Sequence, residues 1–193
     1  TTPGFVVTRR LEKMGWHCSD TAEIGLTQVR VPGTHLLGVE GGGFAGLARH
    51  FATERLSIAT QAYATAARCL DLTLEWARSR ETFGRPLVTR QVVRHRLVEM
   101  HRLVDVARVY TRAVAVRHAA GEQVLAQAAL AKNTAVAACE EVVDAAVQLH
   151  GGAGYMAGSE VERHYRDVRV LGIGGGATEV MNDLLAKLLG LDS

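Results

Sequence analysis

Two glycine-rich segments near the end of the chain have the composition of ligand-binding turns. Residues 148–155 (QLHGGAGY) follow a long apolar-periodic stretch, and residues 172–181 (GIGGGATEVM) precede a short amphipathic one. Glycine reaches backbone angles closed to other residues and lets a ligand approach the main chain. Free amides at the start of the last helix, where Thr178 is a candidate N-cap, favour phosphate or another anion. Spacing alone leaves open the alternative of two glycine turns with no ligand.

Two charged segments are further candidates for a functional role. Residues 80–87 (RETFGRPL), followed by Gln91, fall between two helical patterns, and an arginine there can bind a phosphate with its planar fork. The alternative is a basic turn whose Phe83 plugs the end of a helical bundle. Residues 162–169 (ERHYRDVR) are most simply a salt-bridged turn with a structural role.

Sequence signatures of metal sites and hydrolases are absent. None of the eight histidines has HExxH spacing, and Cys18, Cys69 and Cys139 form no CxxC pair. No GxSxG segment occurs either. The sequence therefore predicts no metal site, no disulfide framework and no activated serine.

Composition limits the possible partners. The net charge is +2 over 193 residues, and no basic run with interleaved aromatic residues is present, so a nucleic-acid surface is not predicted. No apolar stretch is long enough for a membrane span. Scattered cysteines fit a reducing compartment, and the predicted location is the cytoplasm.

Apolar residues recur at steps of three and four in four stretches, which predicts helices over about 44–80, 88–120, 123–150 and 178–190. Such steps pack neighbouring helices at a small crossing angle, as in an up-down four-helix bundle. The first forty residues instead predict strands at 5–8 and 22–31. The predicted fold is therefore mainly α: a four-helix bundle preceded by a small β remnant.

Taken in order, the QLHGGAGY, ERHYRDVR and GIGGGATEVM segments resemble the C-terminal end of the acyl-CoA dehydrogenases, a family of flavin enzymes. The resemblance extends upstream through essentially the whole chain. It implies that residues 1–42 are the C-terminal part of a middle β domain and residues 43–193 the C-terminal four-helix bundle domain. In the family a helical domain and the first half of the β domain come before this point. The chain starts at Thr1 without methionine. We therefore expect a truncated chain that retains flavin weakly and has no dehydrogenase turnover alone.

The resemblance implies an FAD-dependent acyl-CoA dehydrogenase that desaturates an acyl thioester between its α and β carbons. It also implies an electron-transfer flavoprotein as electron acceptor and assembly as a homodimer or homotetramer. The acyl chain, and its attachment to CoA or to a carrier protein, stay open. Two rival hypotheses are a flavin-free helical module or remnant, and a flavin oxidase or monooxygenase on the same fold.

Matching the family's motifs residue by residue implies three cofactor-binding segments. The first two would contact the dinucleotide of a neighbouring subunit. Position 177 is commonly threonine or serine in the family, so Ala177 lacks one side-chain donor. The implied cofactor-binding residues are Arg80, Thr82, Phe83 and Gln91, then Gln148, Leu149, Gly151 and Gly152, and finally Ala177, Thr178 and Glu179.

The resemblance also implies where the catalytic base lies. In many members the glutamate occupies the loop position that is Gly175 here, and glycine cannot abstract a proton. A subset of the family instead combines a loop glycine with a glutamate in an "ERL" helix segment, as in Glu54-Arg55-Leu56. Glu54 is therefore the implied base, with Arg55, Gly175 and Gly176 as substrate-binding residues. The alternatives are a solvated Glu54-Arg55 pair and Glu179 as the base.

Overall fold

The computed structural model describes residues 2–191, apart from the side chain of Arg49. The chain divides into two units, one up to His50 and the other from Phe51 onward.

The first unit contains one β-hairpin. Strand β1 (Phe5–Arg10) pairs antiparallel with β2 (Ala22–Leu26), and the ladder is irregular between Val7 and Arg9. The second strand is shorter than predicted: it ends at Leu26, and Gln28 takes a left-handed backbone conformation with φ 49°. Every side chain of β1 is exposed, and an isolated two-stranded sheet is only marginally stable.

The four predicted helices are confirmed to within a few residues, so the predicted fold class is confirmed. The predicted apolar stripe of the second helix is buried from Val93 to Val114, because residues at steps of three and four share one helical face. The second helix packs on the third, and the third packs on the last. The helices are α1 (Gly43–Ser79), α2 (Gln91–Ala119), α3 (Leu125–His150) and α6 (Thr178–Leu188).

A nine-residue helix, α5 (Glu160–Val168), stands where a salt-bridged turn was predicted, so that prediction was wrong in its geometry. Acidic residues in the first turn favour a helix start, and Glu162 pairs with Arg166 one turn later. Arg68 of α1 binds both carboxylate oxygens of Glu160 at 2.8 and 2.9 Å. These hydrogen bonds lower the pKa of Glu160 to about 2.

A short β-hairpin between α1 and α2 was also not predicted. Strand β3 (Glu81–Thr82) pairs with β4 (Arg85–Pro86), and the turn between them has φ 51° at Phe83 and φ 72° at Gly84. This two-residue turn points Phe83 outward, where it is 96% exposed. The idea that Phe83 plugs the end of the bundle was therefore wrong.

The helix ends around the glycine segments differ from expectation in one detail. Thr178 is the first residue of α6, and Ala177 occupies its N-cap position without a side-chain hydrogen bond. The predicted N-cap role of Thr178 is therefore wrong. A four-residue helix, α4 (Gly152–Tyr155), forms the second half of the first glycine segment. Of the helices described, none is long and apolar enough to cross a membrane.

Candidate functional site

The β3–β4 hairpin and the junction of α3 with α4 enclose a cleft of about 380 Å³, which we name the hairpin cleft. Five of the eleven predicted cofactor-binding residues lie together there, although Arg80 and Gly152 are 72 positions apart in the chain. The cleft is lined by Trp76, Arg80, Thr82, Leu87, Leu149, His150, Gly151, Gly152 and Ala153.

Local hydrogen bonds and one glycine turn form the two walls of the hairpin cleft. The Leu87 amide donates to the Arg80 carbonyl at 2.7 Å, and Arg90 Nη2 donates to the Thr82 carbonyl at 2.6 Å. On the opposite wall, α3 ends at Gly151 with φ 60°. Glycine adopts this conformation without the strain that a side chain would bring.

An aromatic stack that the sequence did not predict forms the back of the hairpin cleft. The rings of Trp76 and His150 lie 5.1 Å apart at 20°, and the Arg80 guanidinium lies 5.8 Å from the Trp76 ring centre. Trp76 Nε1 donates to the Leu149 carbonyl at 3.2 Å. His150 Nδ1 donates to the Ala146 carbonyl at 2.7 Å, because a carbonyl oxygen only accepts. The one sequence signal was the i,i+4 spacing of Trp76 and Arg80.

The remaining residues of the first two predicted cofactor-binding segments do not line the hairpin cleft. Phe83 is at the exposed tip of the hairpin with the Arg90 guanidinium 5.7 Å from its ring centre. Gln91 begins α2, Gln148 lies in the last turn of α3, and both are exposed. Neither is among the residues that line the cleft, and their cofactor contacts stay predictions.

A second cluster forms at Gly174–Gly176, which we name the glycine loop. Gly175 has φ 65°, and a Cβ placed there would lie 3.8 Å from Glu54 Oε1 and 2.4 Å from Ile58 Cδ1. Two residues of α1 thus face a loop that follows them by more than a hundred positions. The structure brings Glu54 and Gly175 together, as the sequence comparison of the two positions suggested, while the role of Glu54 as base stays a prediction.

The third predicted segment lies immediately after the glycine loop. Gly176 has φ 99°, and a Cβ placed there would lie 2.4 Å from the buried Met181 side chain. The Thr178 carbonyl accepts a hydrogen bond from Asn133 Nδ2 at 3.4 Å. Ala177, Thr178 and Glu179 therefore form the start of α6, and they are not among the residues that line the hairpin cleft.

Two buried cations lie behind the glycine loop. Arg55 is 5% exposed, and its Nε and Nη1 have no hydrogen-bond partner among the described residues. Lys132 of α3 is fully buried, and its Nζ donates to the Gly176 carbonyl at 2.6 Å. Burial lowers the pKa of both side chains; the charge of Glu54 partly offsets this for Arg55, whereas the charge of Arg55 lowers the pKa of Lys132 further.

Sequence reasoning missed Lys132, although a signal was present. The lysine lies between Ala128 and Ala135 on the apolar stripe of α3, where a charge is unusual unless it has a role. Arg55 was predicted to line the substrate or flavin site. Two of its nitrogens are closed to solvent, and its contact with a substrate stays a prediction.

Other reactive groups in the described chain do not form a site. No group of three histidine, cysteine or acidic residues among them could hold a metal ion. Cys69 and Cys139 are buried, and burial raises the pKa of the Cys69 thiol to about 12 and also raises that of Cys139. Both therefore remain thiols at neutral pH, which makes them poor nucleophiles.

The donors of the hairpin cleft fit a nucleotide diphosphate. Arg80 supplies a guanidinium and Thr82 a hydroxyl, and both line the same space. Beside Gly151 and Gly152 a Cβ would meet nothing within 4 Å, so the main chain there is open to a ligand. Guanidinium groups are usual partners of phosphate oxygens. The Gly151 amide already donates to two carbonyls in the last turn of α3, so this glycine contributes access to the main chain and no free donor.

We predict that Arg80→Gln weakens FAD binding by about 10- to 100-fold, because it removes a charged donor worth roughly 1.5–3 kcal/mol. Titration with FAD, followed by quenching of flavin fluorescence, measures the change. Arg85→Gln is the matched control, since Arg85 is exposed on β4 of the same hairpin and does not line the cleft. Equal losses in the two variants would contradict a specific role for Arg80.

Comparison with known proteins finds a matching family model and similar solved structures. The family model described as "Acyl-CoA dehydrogenase, C-terminal domain" matches residues 41–190. A crystal structure of a probable acyl-CoA dehydrogenase from Mycobacterium abscessus is 61% identical with a TM-score of 0.96, covering 98% of this chain and 50% of that one.

Two curated relatives match at lower identity. A probable acyl-CoA dehydrogenase of Bacillus subtilis, YngJ, is 36% identical and covers 97% of this chain and 50% of the relative. The mitochondrial long-chain specific acyl-CoA dehydrogenase of Rattus norvegicus is 35% identical, with 98% and 44% covered. The chain thus spans about half the length of the curated relatives it matches.

Proposed function

Because this chain belongs to the acyl-CoA dehydrogenase family, we propose that it serves in an FAD-dependent enzyme that desaturates an acyl thioester between its α and β carbons. One observation carries the proposal. A carboxylate oxygen of Glu54 lies 3.8 Å from the Cβ position of Gly175. A carboxylate on α1 therefore reaches the point where a side chain on the glycine loop would begin, so that either element could present a base to the same substrate carbon.

In the proposed reaction Glu54 removes the α-proton of the thioester. A general base must come within hydrogen-bond reach of its proton, and Glu54 is exposed on α1. Its helix fixes the direction of the side chain more firmly than a loop would. Gly175 presents no side chain of its own, so the space in front of the carboxylate stays open for the substrate. Gly176 would contact the substrate through its main chain, since the Met181 side chain occupies the space where a Cβ would lie.

The hairpin cleft is the proposed site for part of the cofactor. Arg80 and Thr82 would bind the diphosphate, Gly151 and Gly152 would let it approach the main chain, and the Trp76–His150 stack would close the cleft. When bound, FAD supplies the acceptor for the β-hydrogen, which leaves as hydride. An electron-transfer flavoprotein is the proposed acceptor of the electrons in the next step.

We further propose a homodimer or homotetramer in which residues 1–42 and 43–193 are separate domains. Exposed valines support the assembly, because Val98, Val106, Val109 and Val116 of α2 lie on the side opposite its buried stripe. A patch of this kind on a helix surface is typical of protein contacts.

The test of the proposed function is anaerobic mixing of a flavin-loaded full-length enzyme that contains this chain with acyl-CoA thioesters of different chain lengths. A dehydrogenase loses its visible flavin absorbance on mixing and recovers it with an electron-transfer flavoprotein. A protein with no visible flavin spectrum after loading would instead support the helical-module hypothesis. Rapid peroxide formation in air during turnover would support the oxidase hypothesis.

A further inference from the structure

Lys132 is a buried cation held by a single neutral partner. Its ammonium is fully buried on α3 and donates to the Gly176 carbonyl at 2.6 Å. No ion pair to Lys132 forms within the described residues. The charges of Glu140 and Glu179 raise the pKa of Lys132 without contacting it, and Glu140 is itself bound by Arg169 at 3.1 Å. A buried charge without a paired counter-charge lowers the stability of the fold. We therefore looked for a function of the Lys132 ammonium at the Gly176 carbonyl, which is the group it contacts.

The Gly176 carbonyl, which Lys132 contacts, lies in the part of the glycine loop that makes the fewest other hydrogen bonds. The loop is tied at its start, where the Gly174 amide donates to the Val170 carbonyl at 2.7 Å, and beyond its end, where the Ala177 carbonyl accepts from Met181. Among the described residues, the bond from Lys132 is the one hydrogen bond to Gly175 or Gly176. Two consecutive glycines with positive φ would otherwise sample many conformations.

The arrangement does not fit a binding site for a free anion. The neighbouring Arg55 nitrogens Nε and Nη1 are closed to solvent, so a dissolved ion cannot reach them. The charge of Lys132 therefore acts through the carbonyl that it binds. A hydrogen bond with a charged donor is shorter and about twice as strong as a neutral one.

We propose that Lys132 is a positioning residue, which fixes the Gly176 carbonyl and thereby holds Gly175 against Glu54 and Ile58. The functional part of this proposal rests on the proposed role of Glu54 as base. If the loop were free to move into the space before the carboxylate, the substrate carbon and the base would no longer meet at a fixed distance. Misplacement of this kind lowers the rate of the chemical step more than it lowers substrate affinity.

Hydrogen–deuterium exchange tests the anchoring itself and needs no flavin. Lys132→Met keeps the length of the side chain and removes its charge and donor. The amides of Ile173 and Gly174, which donate to the Val170 carbonyl at the start of the loop, should then exchange about ten-fold faster relative to the amides of α3, because local opening sets the exchange rate of a hydrogen-bonded amide. Val142→Ala is the matched control, since Val142 is buried on the same helix ten residues away and has no part in the loop. Equal loop exchange in the two variants would overturn the proposal.

Kinetics of the flavin-loaded protein test the functional part. In Lys132→Met, kcat should fall about ten-fold or more while KM stays within about two-fold. Lys132→Gln, which retains a donor without the charge, should recover part of both the exchange protection and kcat. Faster loop exchange with an unchanged kcat would overturn the positioning role. Absence of flavin reduction in a full-length wild-type enzyme that contains this chain would overturn the proposed function, and the exchange comparison would still decide the anchoring.

A measurement on the unaltered chain covers the case in which Lys132→Met does not fold. Nitrogen-15 spectra should show a protonated Lys132 side chain whose ammonium is coupled to the Gly176 carbonyl carbon. Absence of that coupling would overturn the proposal without any variant.

Discussion

In a full-length enzyme that contains this chain, Glu54→Gln is expected to lower the rate of substrate-dependent flavin reduction by roughly 10²- to 10⁴-fold, the usual contribution of a general base. Glutamine has the shape of glutamate and cannot take up the α-proton. Flavin binding should be unchanged, because Glu54 is not among the residues of the hairpin cleft. Anaerobic stopped-flow absorbance with saturating acyl-CoA measures the rate, and the absorbance ratio of flavin to protein measures retention.

Two companion variants make this result specific. Glu75→Gln removes an exposed carboxylate from the same helix, far from the glycine loop, and should leave the rate within about two-fold, as most surface substitutions do. Glu179→Gln tests the competing carboxylate at the start of α6. Near-normal flavin reduction in Glu54→Gln, together with a large loss in Glu179→Gln, would move the base to Glu179.

Periodicity predicted the bundle because its helices are long enough to repeat their pattern many times. The stripe from Val93 to Val114 on α2 contains seven buried residues at regular steps, and each supports the same face. Helix α5 spans only nine residues and buries two of them, so its own pattern was too short to read. It depends on Arg68, which is 92 positions away from its partner Glu160.

Residues of the site that belong to a sequence motif could be predicted, whereas residues that contribute only through packing could not. The pairing of Glu54 with Gly175 could be proposed from the resemblance to a subset of the family, in which a glycine on the loop accompanies a glutamate on the helix. The residues that pack around the glycine loop and the hairpin cleft could not be predicted from a motif. Ile58, Lys132 and the Trp76–His150 stack matter through contacts made only when distant helices pack, and no local motif marks those contacts.

Moving the base to the glycine loop is the second large effect we expect. In the Glu54→Gln background, Gly175→Glu should restore part of the lost rate, because the new side chain would start 3.8 Å from the Glu54 carboxylate position. The recovery should be limited for two reasons. Gly175 has φ 65°, a conformation that costs a side chain about 1–2 kcal/mol. The new Cβ would also lie 2.4 Å from Ile58 Cδ1.

Ile58→Val removes the Cδ1 atom that causes the clash, so adding it should raise the rate of the double variant further, by about ten-fold if the clash costs about 1.4 kcal/mol. Ile58 is half-buried, and replacing a buried isoleucine by valine typically lowers the free energy of unfolding by about 0.5–1.5 kcal/mol. Thermal unfolding should therefore show a lower Tm for the triple variant than for the wild type, even as flavin reduction recovers.

The decisive control replaces Gly175→Glu by Gly175→Gln in the same Glu54→Gln and Ile58→Val background. Both side chains impose the same backbone strain at φ 65° and fill the same space, so they differ in one property, the ability to accept a proton. A higher rate for glutamate than for glutamine assigns the recovery to a base on the loop. Equal rates would contradict the idea that positions 54 and 175 face the same substrate carbon, since a carboxylate would then be present at the loop and still not reach it.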